Sequence, residues 1–523
     1  MRKTSIFYIF LLLWSATGCD VEGLYRDDIN VRTTVRLKSG LAFLEGDPGR
    51  VLFVEMTQDG VKTKTVFEAR LGEEIISMRG GPAPEQATEL FIMTAPEDPR
   101  ETTIDEALFR VDPLTGSTHE FAIGSVFGGM SFDPTQRYAV LYHQDSDATS
   151  TGGLFNPNEV GVIDLTALPA TDNPRILSVG IGGRTIQGVH FMDELVVDGE
   201  TRQIVIFGAD GMIKMIDLTD PLASTVSVKL VNDDDPRSVV PIKILERPGD
   251  DAHDPLIFAL ASQSQDIYAI SLVAHPEGEP GFWATLNQYD GGANPSDIAV
   301  VEDDDIPLLV VASSSGSLVT VVDVDTADMF SITLLDSPTR ILVREQEGSD
   351  EAVLYGDNLG RIYFLAVDDL ATEKGSNLDD MIIPDGILES SVLDADRLMI
   401  IPYYDTGLAL LDLNEREITR LTSQSGYDWT GATMQDGVFF LGQPGGDEIV
   451  SLDMVTGHPE PLILDESVQR LDLFPQVGMG FVLHPTASGR GTLFPLDLPT
   501  RENAIIVDGF WLEGFLDNKE VTE

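Results

Sequence analysis

An apolar, strand-like run that closes on an aspartate returns along the whole of this 523-residue chain, and this recurrence limits the fold more than any other feature. The runs at 108–112, 160–164, 213–217, 318–323, 408–412, 449–453 and 493–497 all end in Asp, and weaker copies stand at 267–271 and 362–367. Successive copies lie about 40 to 55 residues apart, the length of one supersecondary unit. Each follows another apolar strand and a turn, as at 204–211 and 309–316, and most precede a further strand, as at 226–231 and 330–335. With an opening strand such as 339–344, the unit holds four short antiparallel strands punctuated by Gly, Pro, Asp and Asn. No 3.6-residue apolar period is sustained between them.

Four-stranded units at this spacing, with no helices between, predict an all-β chain: a β-propeller of four-stranded antiparallel blades. A single blade cannot cover both its faces, so neighbours must stack. Nine copies are visible between Glu74 and Asp508, and 41–71 reads as a partial tenth. Ordinary propellers have about four to eight blades, so the expectation is about 8 within a range of 7–10. A large ring, strands outside the ring, and two domains all remain open. The early strands are expected to pair with the last ones, near 505–515, to close the array.

The N-terminus carries Arg2 and Lys3, an apolar stretch over 6–14, then small residues before Cys19. This order is that of a secretory signal, and the apolar stretch is far short of the roughly 20 residues that span a bilayer. The run Ala16-Thr17-Gly18-Cys19 resembles the lipobox of bacterial lipoproteins, with Ala16 where leucine is usual. The resemblance implies cleavage before Cys19 and lipidation of its thiol, and several acyl chains anchor a protein firmly where one does not. The expected organisation is a signal peptide over 1–18, a flexible tether over 19–39 and the propeller over 40–523. Cys19 is the only cysteine, so no disulfide framework is available.

Lysine and arginine number 33 against 87 acids, a formal net charge of −54. Such a surface repels phosphate backbones and anionic headgroups, which argues against nucleic acid and direct membrane-surface binding. Disorder is the other usual reading of high charge, but 42% hydrophobic residues suffice for a core. The charge reads first as a solvated acidic coat, with calcium or a cationic partner as alternatives.

The stretch 130–141, Met-Ser-Phe-Asp-Pro-Thr-Gln-Arg-Tyr-Ala-Val-Leu, followed by Val-Gly-Val-Ile-Asp-Leu at 160–165, resembles the repeat of YVTN-type and WD40-like bacterial propellers. Gln136 stands where that family usually has glycine. The Asp-x-x-Thr-Gly runs at 112–116 and 453–457 look like turns of quinoprotein-type propellers, a group that includes lipid-anchored scaffolds of outer-membrane protein assembly. That family's enzymes imply a tryptophan after the Thr-Gly turn, and Trp283, Trp429 and Trp511 follow none.

The sequence shows no Gly-x-Ser-x-Gly elbow, His-Glu-x-x-His, phosphate-cradling loop or paired-cysteine site. Its seven histidines, at 119, 143, 190, 253, 275, 458 and 484, are scattered without close ligand spacing. The insertion over 144–158 is the most unusual loop, and long loops often carry function. Asp145, Asp147, Asn156, Asn158 and Glu159 are candidate ligand-binding residues whose oxygens suit calcium, with Asp145 and Asp147 as its candidate ligands, although the spacing is not that of an EF-hand. Acidic runs at 233–235 and 303–305 read as solvated edges.

The favoured function is a non-enzymatic binding or scaffolding module in the bacterial cell envelope, exported and lipid-anchored to the inner or outer membrane, periplasmic or at the cell surface. Its expected partner is an envelope protein or a small ligand, and the chain is expected to act as a monomer. Two alternatives stay open: a lactonase-like envelope hydrolase with its site at the central channel, and a calcium-dependent adhesion module.

Overall fold

The computed structural model describes residues 31–510, apart from short segments of which the longest are 99–105, 144–155, 232–238, 248–254, 275–281, 367–378 and 423–432. Among the described residues, the strands form ten four-stranded antiparallel sheets and one added hairpin, Leu195–Val197 with Glu200–Arg202. Numbered along the chain, the blades are 1 (31–68), 2 (73–122), 3 (129–178), 4 (186–229), 5 (241–290), 6 (295–333), 7 (340–382), 8 (387–422), 9 (433–463) and 10 (470–508). Each is a meander in which successive strands pair, and the added hairpin falls between the first and second strands of blade 4. The fold is a β-propeller.

The chain divides into two compact units. One comprises Met1–Ser125 and Asp428–Glu523, with blades 9, 10, 1 and 2; the other is Val126–Tyr427, with blades 3–8. Inside the first, blade 1 packs on blade 2 through Phe53, Leu90 and Phe109, and blade 9 on blade 10 through Phe440, Leu473 and Phe494. Inside the second, apolar clusters join every consecutive pair from blade 3 to blade 8.

The aspartate-terminated runs and their two weaker copies are the third strands of blades 2–10. Ten blades exceed the eight expected as the centre of the range, because all nine visible copies and the partial tenth at 41–71 form complete four-stranded sheets, and blade 1 lacks the aspartate signal. Its third strand, Arg50–Thr57, ends without an aspartate, and its first, Val31–Leu37, begins inside the segment assigned to the tether. The expected pairing of early with late strands is also overturned. Blades 1 and 10 are separate, complete sheets that meet face to face through Leu41, Phe43, Val54, Phe481 and Phe510. Arg36 Nη2 donates to Leu473 O at 2.7 Å across this junction, and Arg470 Nη1 to Thr34 O at 3.4 Å.

Burial follows strand position. Second and third strands read as apolar runs because both their faces are covered: every residue of Tyr138–Tyr142 and of Glu351–Tyr355 is buried. Fourth strands lie at the outer edge. Thr118–Ala122, Thr225–Lys229, Met329–Thr333 and Pro459–Ile463 each bury one side chain, respectively Phe121, Val228, Ile332 and Leu462.

The repeated aspartate builds the turn from the third strand to the fourth. Asp112, Asp164, Asp217, Asp323 and Asp412 each accept a backbone N–H from two residues ahead through Oδ1, at 2.8–3.0 Å. An aspartate side chain that bonds the backbone two residues on is an Asx-turn. In blades 2, 6 and 8 the residue four places after the aspartate has positive φ: Gly116 at 75°, Ala327 at 62° and Arg416 at 54°. Glycine in the Asp-x-x-Thr-Gly pattern therefore serves a left-handed turn position.

Candidate functional site

The first strands of blades 5–8, Pro241–Arg247, Pro295–Asp303, Arg340–Arg344 and Ile387–Asp394, carry a chain of polar contacts from one blade to the next. Lys243 Nζ donates to Asp297 Oδ1 at 2.5 Å, and the other carboxylate oxygen accepts the Ile341 amide at 2.7 Å. Beside it, Arg340 reaches Ser390 O and Asp357 Oδ2, each at 3.0 Å, while Ser390 Oγ donates to Asp357 Oδ1 at 3.0 Å. A first strand has one neighbour in its own sheet, so half of its amides face away from the ladder. Asp297 supplies the acceptor for one of them.

At the far ends of these strands two arginines reach to the following blade. Arg247 pairs with Asp325 in the last turn of blade 6, at 3.2 Å. Arg344, with only 4% of its side chain exposed, binds Glu351 at 2.5 Å, Asp396 at 3.0 Å and Asn414 Oδ1. In an acid-rich chain these scarce cations join neighbouring blades. These pairs tie the first strands to the blades that follow.

Recesses open among the described side chains. One, in the unit of blades 9, 10, 1 and 2, has a volume of about 570 Å³ and is lined by Val438, Pro475, Val477, Met479 and Leu496, with Gln58 and Asp497 also contributing. Another lies between blades 3 and 4, has a volume of about 200 Å³, and is lined by Arg137, Tyr138, Asp164, Leu168, Asn173, Arg175 and Leu218, among others. Asp164 is used up locally: Oδ1 accepts the Thr166 amide and hydroxyl, and Oδ2 accepts Arg137 Nη2 at 3.2 Å. Burial pushes its carboxyl up, but the Thr166 hydrogen bonds and Arg137 outweigh this and hold it below the ordinary value. The Tyr138 phenol is shifted upward, chiefly by burial. Arg137 stacks over the Tyr138 ring at 4.9 Å.

Of the residues singled out from sequence, Cys19, Asp145 and Asp147 lie outside the described residues. Asn156, Asn158 and Glu159 are brought together, but as a turn. Asn156 Nδ2 donates to Glu159 Oε1 at 3.0 Å, and Asn156 Oδ1 accepts from the Asn158 amide at 3.2 Å. The described histidines, at 119, 143, 190, 458 and 484, belong to different blades. His143 packs against Phe127 with ring centroids 4.7 Å apart, His484 bonds Ser467 O and Thr492 Oγ1, and His253 and His275 lie outside the described residues. Among the described residues no three His, Cys, Asp or Glu side chains gather as a metal site. Sequence reasoning missed Arg175 and Asp297. Asp297 had a faint signal as an acid just before the apolar run Ile298–Val301 of an opening strand, and Arg175 had none.

No protein-family model matches this chain, and no curated protein matches its sequence. Among solved structures it is similar to the dihydro-heme d1 dehydrogenase NirN in complex with DHE, at 14% identity and a TM-score of 0.39, over 68% of this chain and 71% of that one. It is also similar to apo AztD from Citrobacter koseri, at 13% identity and a TM-score of 0.33, over 73% and 96% of the two chains. A third is a eukaryotic initiation factor, at 9% identity and a TM-score of 0.42, over 87% and 96%. Likenesses this distant carry no argument about chemistry. What the chain's own ten sheets show is a β-propeller.

Proposed function

We propose that this protein is an exported, lipid-anchored propeller that acts as a non-enzymatic binding or scaffolding module in the bacterial cell envelope. The observation that carries the binding reading is where the polar groups are spent. The repeated aspartates close turns, and the first-strand charges tie blades together, so the elements that recur build a stiff frame. What varies from blade to blade is the exposed outer layer, including Leu114 and Leu168 in turns and Trp283 and Met329 on fourth strands. A rigid frame with variable exposed turns is suited to recognition.

The lipobox-like run supports the anchor. Only residues 20–30 separate Cys19 from Val31, and an extended chain spans at most ~3.3–3.6 Å per residue, which keeps the first blade within about 40 Å of the bilayer. The acidic surface opposes contact with anionic headgroups, so the partner is sought at the height of the tether rather than in the lipid. Replacement Cys19→Ser is expected to move the protein from the membrane fraction to the soluble one with its circular dichroism unchanged. Retention of the variant in membranes refutes the anchor. Crosslinking in intact envelopes, followed by capture of the tagged chain, should yield a stoichiometric protein partner. Turnover in a lactone and ester screen, with no partner captured, favours the hydrolase instead.

A further inference from the structure

The cleft between blades 3 and 4 combines features that a solvated surface groove does not need. Arg175 stands opposite Val162 in the register of blade 3, and Val162 belongs to the face packed against blade 4. Directly opposed residues share a face of the sheet, so Arg175 projects at the rim of that interface. It is exposed and makes no ion pair among the described residues. Arg137 lines the same cleft, oriented by Tyr138 and Asp164. The single acid, Asp164, already has both its oxygens occupied. Two guanidiniums therefore face one recess in a chain of net charge −54. Beside the polar Asn173 and Thr219, an apolar wall is supplied by Val162, Ala167, Leu218, Pro221 and Leu168, which is 71% exposed.

We propose that this cleft binds a small organic monocarboxylate, its carboxylate on Arg175 with Arg137 alongside and its apolar body against Leu168 and Leu218. Guanidinium presents paired donors that match a carboxylate. Phosphate and other multiply charged anions are disfavoured by the surrounding acidic field and offer nothing to the apolar wall. Size narrows the class further. A volume of about 200 Å³ is roughly seven waters at ~30 Å³ each, below the ~300–1,000 Å³ of drug-sized sites. An aromatic or short branched acid of about benzoate's size fits.

The test is titration of the full chain with benzoate, followed by ligand-observed saturation-transfer NMR. Saturable binding with a Kd of about 1 mM or tighter is expected. Arg175→Gln should weaken it at least about tenfold, the loss of one charge-assisted contact. Leu168→Glu, a change on an exposed side chain, should weaken it comparably by placing a like charge at the rim, and so keeps the proposal testable if Arg175→Gln misfolds. Benzylamine, with the same ring and opposite charge, should not compete. Non-saturable benzoate signals, unchanged binding in folded Arg175→Gln, or equal binding of inorganic phosphate would each overturn the assignment.

Discussion

Replacing Asp297 with alanine tests whether the first-strand contacts hold blades together. Three donors converge on this carboxylate: Lys243 Nζ at 2.5 Å, the Ile298 amide at 2.9 Å and the Ile341 amide at 2.7 Å. Lys243 keeps 36% of its side chain exposed, so loss of that pair is screened and costs at most about 1 kcal/mol. Ile341 is 8% exposed, and a buried amide left without an acceptor costs about 1–3 kcal/mol. Together the loss is about 3 kcal/mol, some of it returned as the carboxylate no longer has to be desolvated. Asp297→Asn keeps one acceptor oxygen and should cost roughly half as much. Thermal melting monitored by circular dichroism reads the global effect, and amide hydrogen exchange at Ile341 reads the local one. Exchange there should accelerate by about 100-fold, since each 1.4 kcal/mol is a factor of ten. A stability loss below about 0.5 kcal/mol, with Ile341 still protected, would show that the carboxylate does not join blades 6 and 7.

Ala327→Gly should stabilise the protein: a left-handed alanine costs about 1–2 kcal/mol, glycine's extra chain entropy takes back about 0.4–1, and a rise in melting temperature checks the difference. Gly480→Ala should destabilise it by about 1–3 kcal/mol, because Gly480 pairs directly with Phe494 and an added Cβ would stand 2.2 Å from the ring; an unchanged melting temperature would contradict that packing. The turn aspartates give a pH dependence. Burial raises the Asp112 and Asp164 carboxyls, but their hydrogen bonds and neighbouring cations lower them by more, leaving both below the ordinary value. Depressed folded-state values mean that their contribution is present above the unfolded carboxylate value of about 3.9 and is lost as pH falls through the lower folded values. The Asp112→Asn, Asp164→Asn double variant should therefore show a shallower decline in melting temperature between neutral pH and about pH 3 than the parent, and an identical decline refutes the assignment.

The blades were legible because their third strands are covered on both faces. Such strands must be continuously apolar, and the Asx-turns at their ends are built here by aspartate, so Asp112, Asp164 and Asp323 mark the unit in sequence. Blade 1 reads only as a partial copy over 41–71 where that aspartate is missing, and Val31–Leu37 falls in the tether because Arg32, Thr33, Thr34 and Arg36 make an opening strand look like one. The Gln136 position shows the same logic at one residue. Its φ of 61° is the left-handed conformation that explains glycine at that point of the repeat it resembles. Of the 144–158 loop, Asn156 bonds Asn158 and Glu159 within a turn, while Asp145 and Asp147 lie outside the described residues.

Sequence alone determined the class of this protein: period, apolar runs and turn aspartates are local, and each blade's meander needs only neighbouring strands. Tertiary structure decided how blades meet. The blade 1 to blade 10 junction joins Arg36 to Leu473 across almost the whole chain, and Lys243, Asp297 and Ile341 meet from three blades. Arg137, Arg175 and Leu218 line one cleft from two blades. No local pattern encodes such encounters, because stacking fixes which faces touch and spacing along the chain does not.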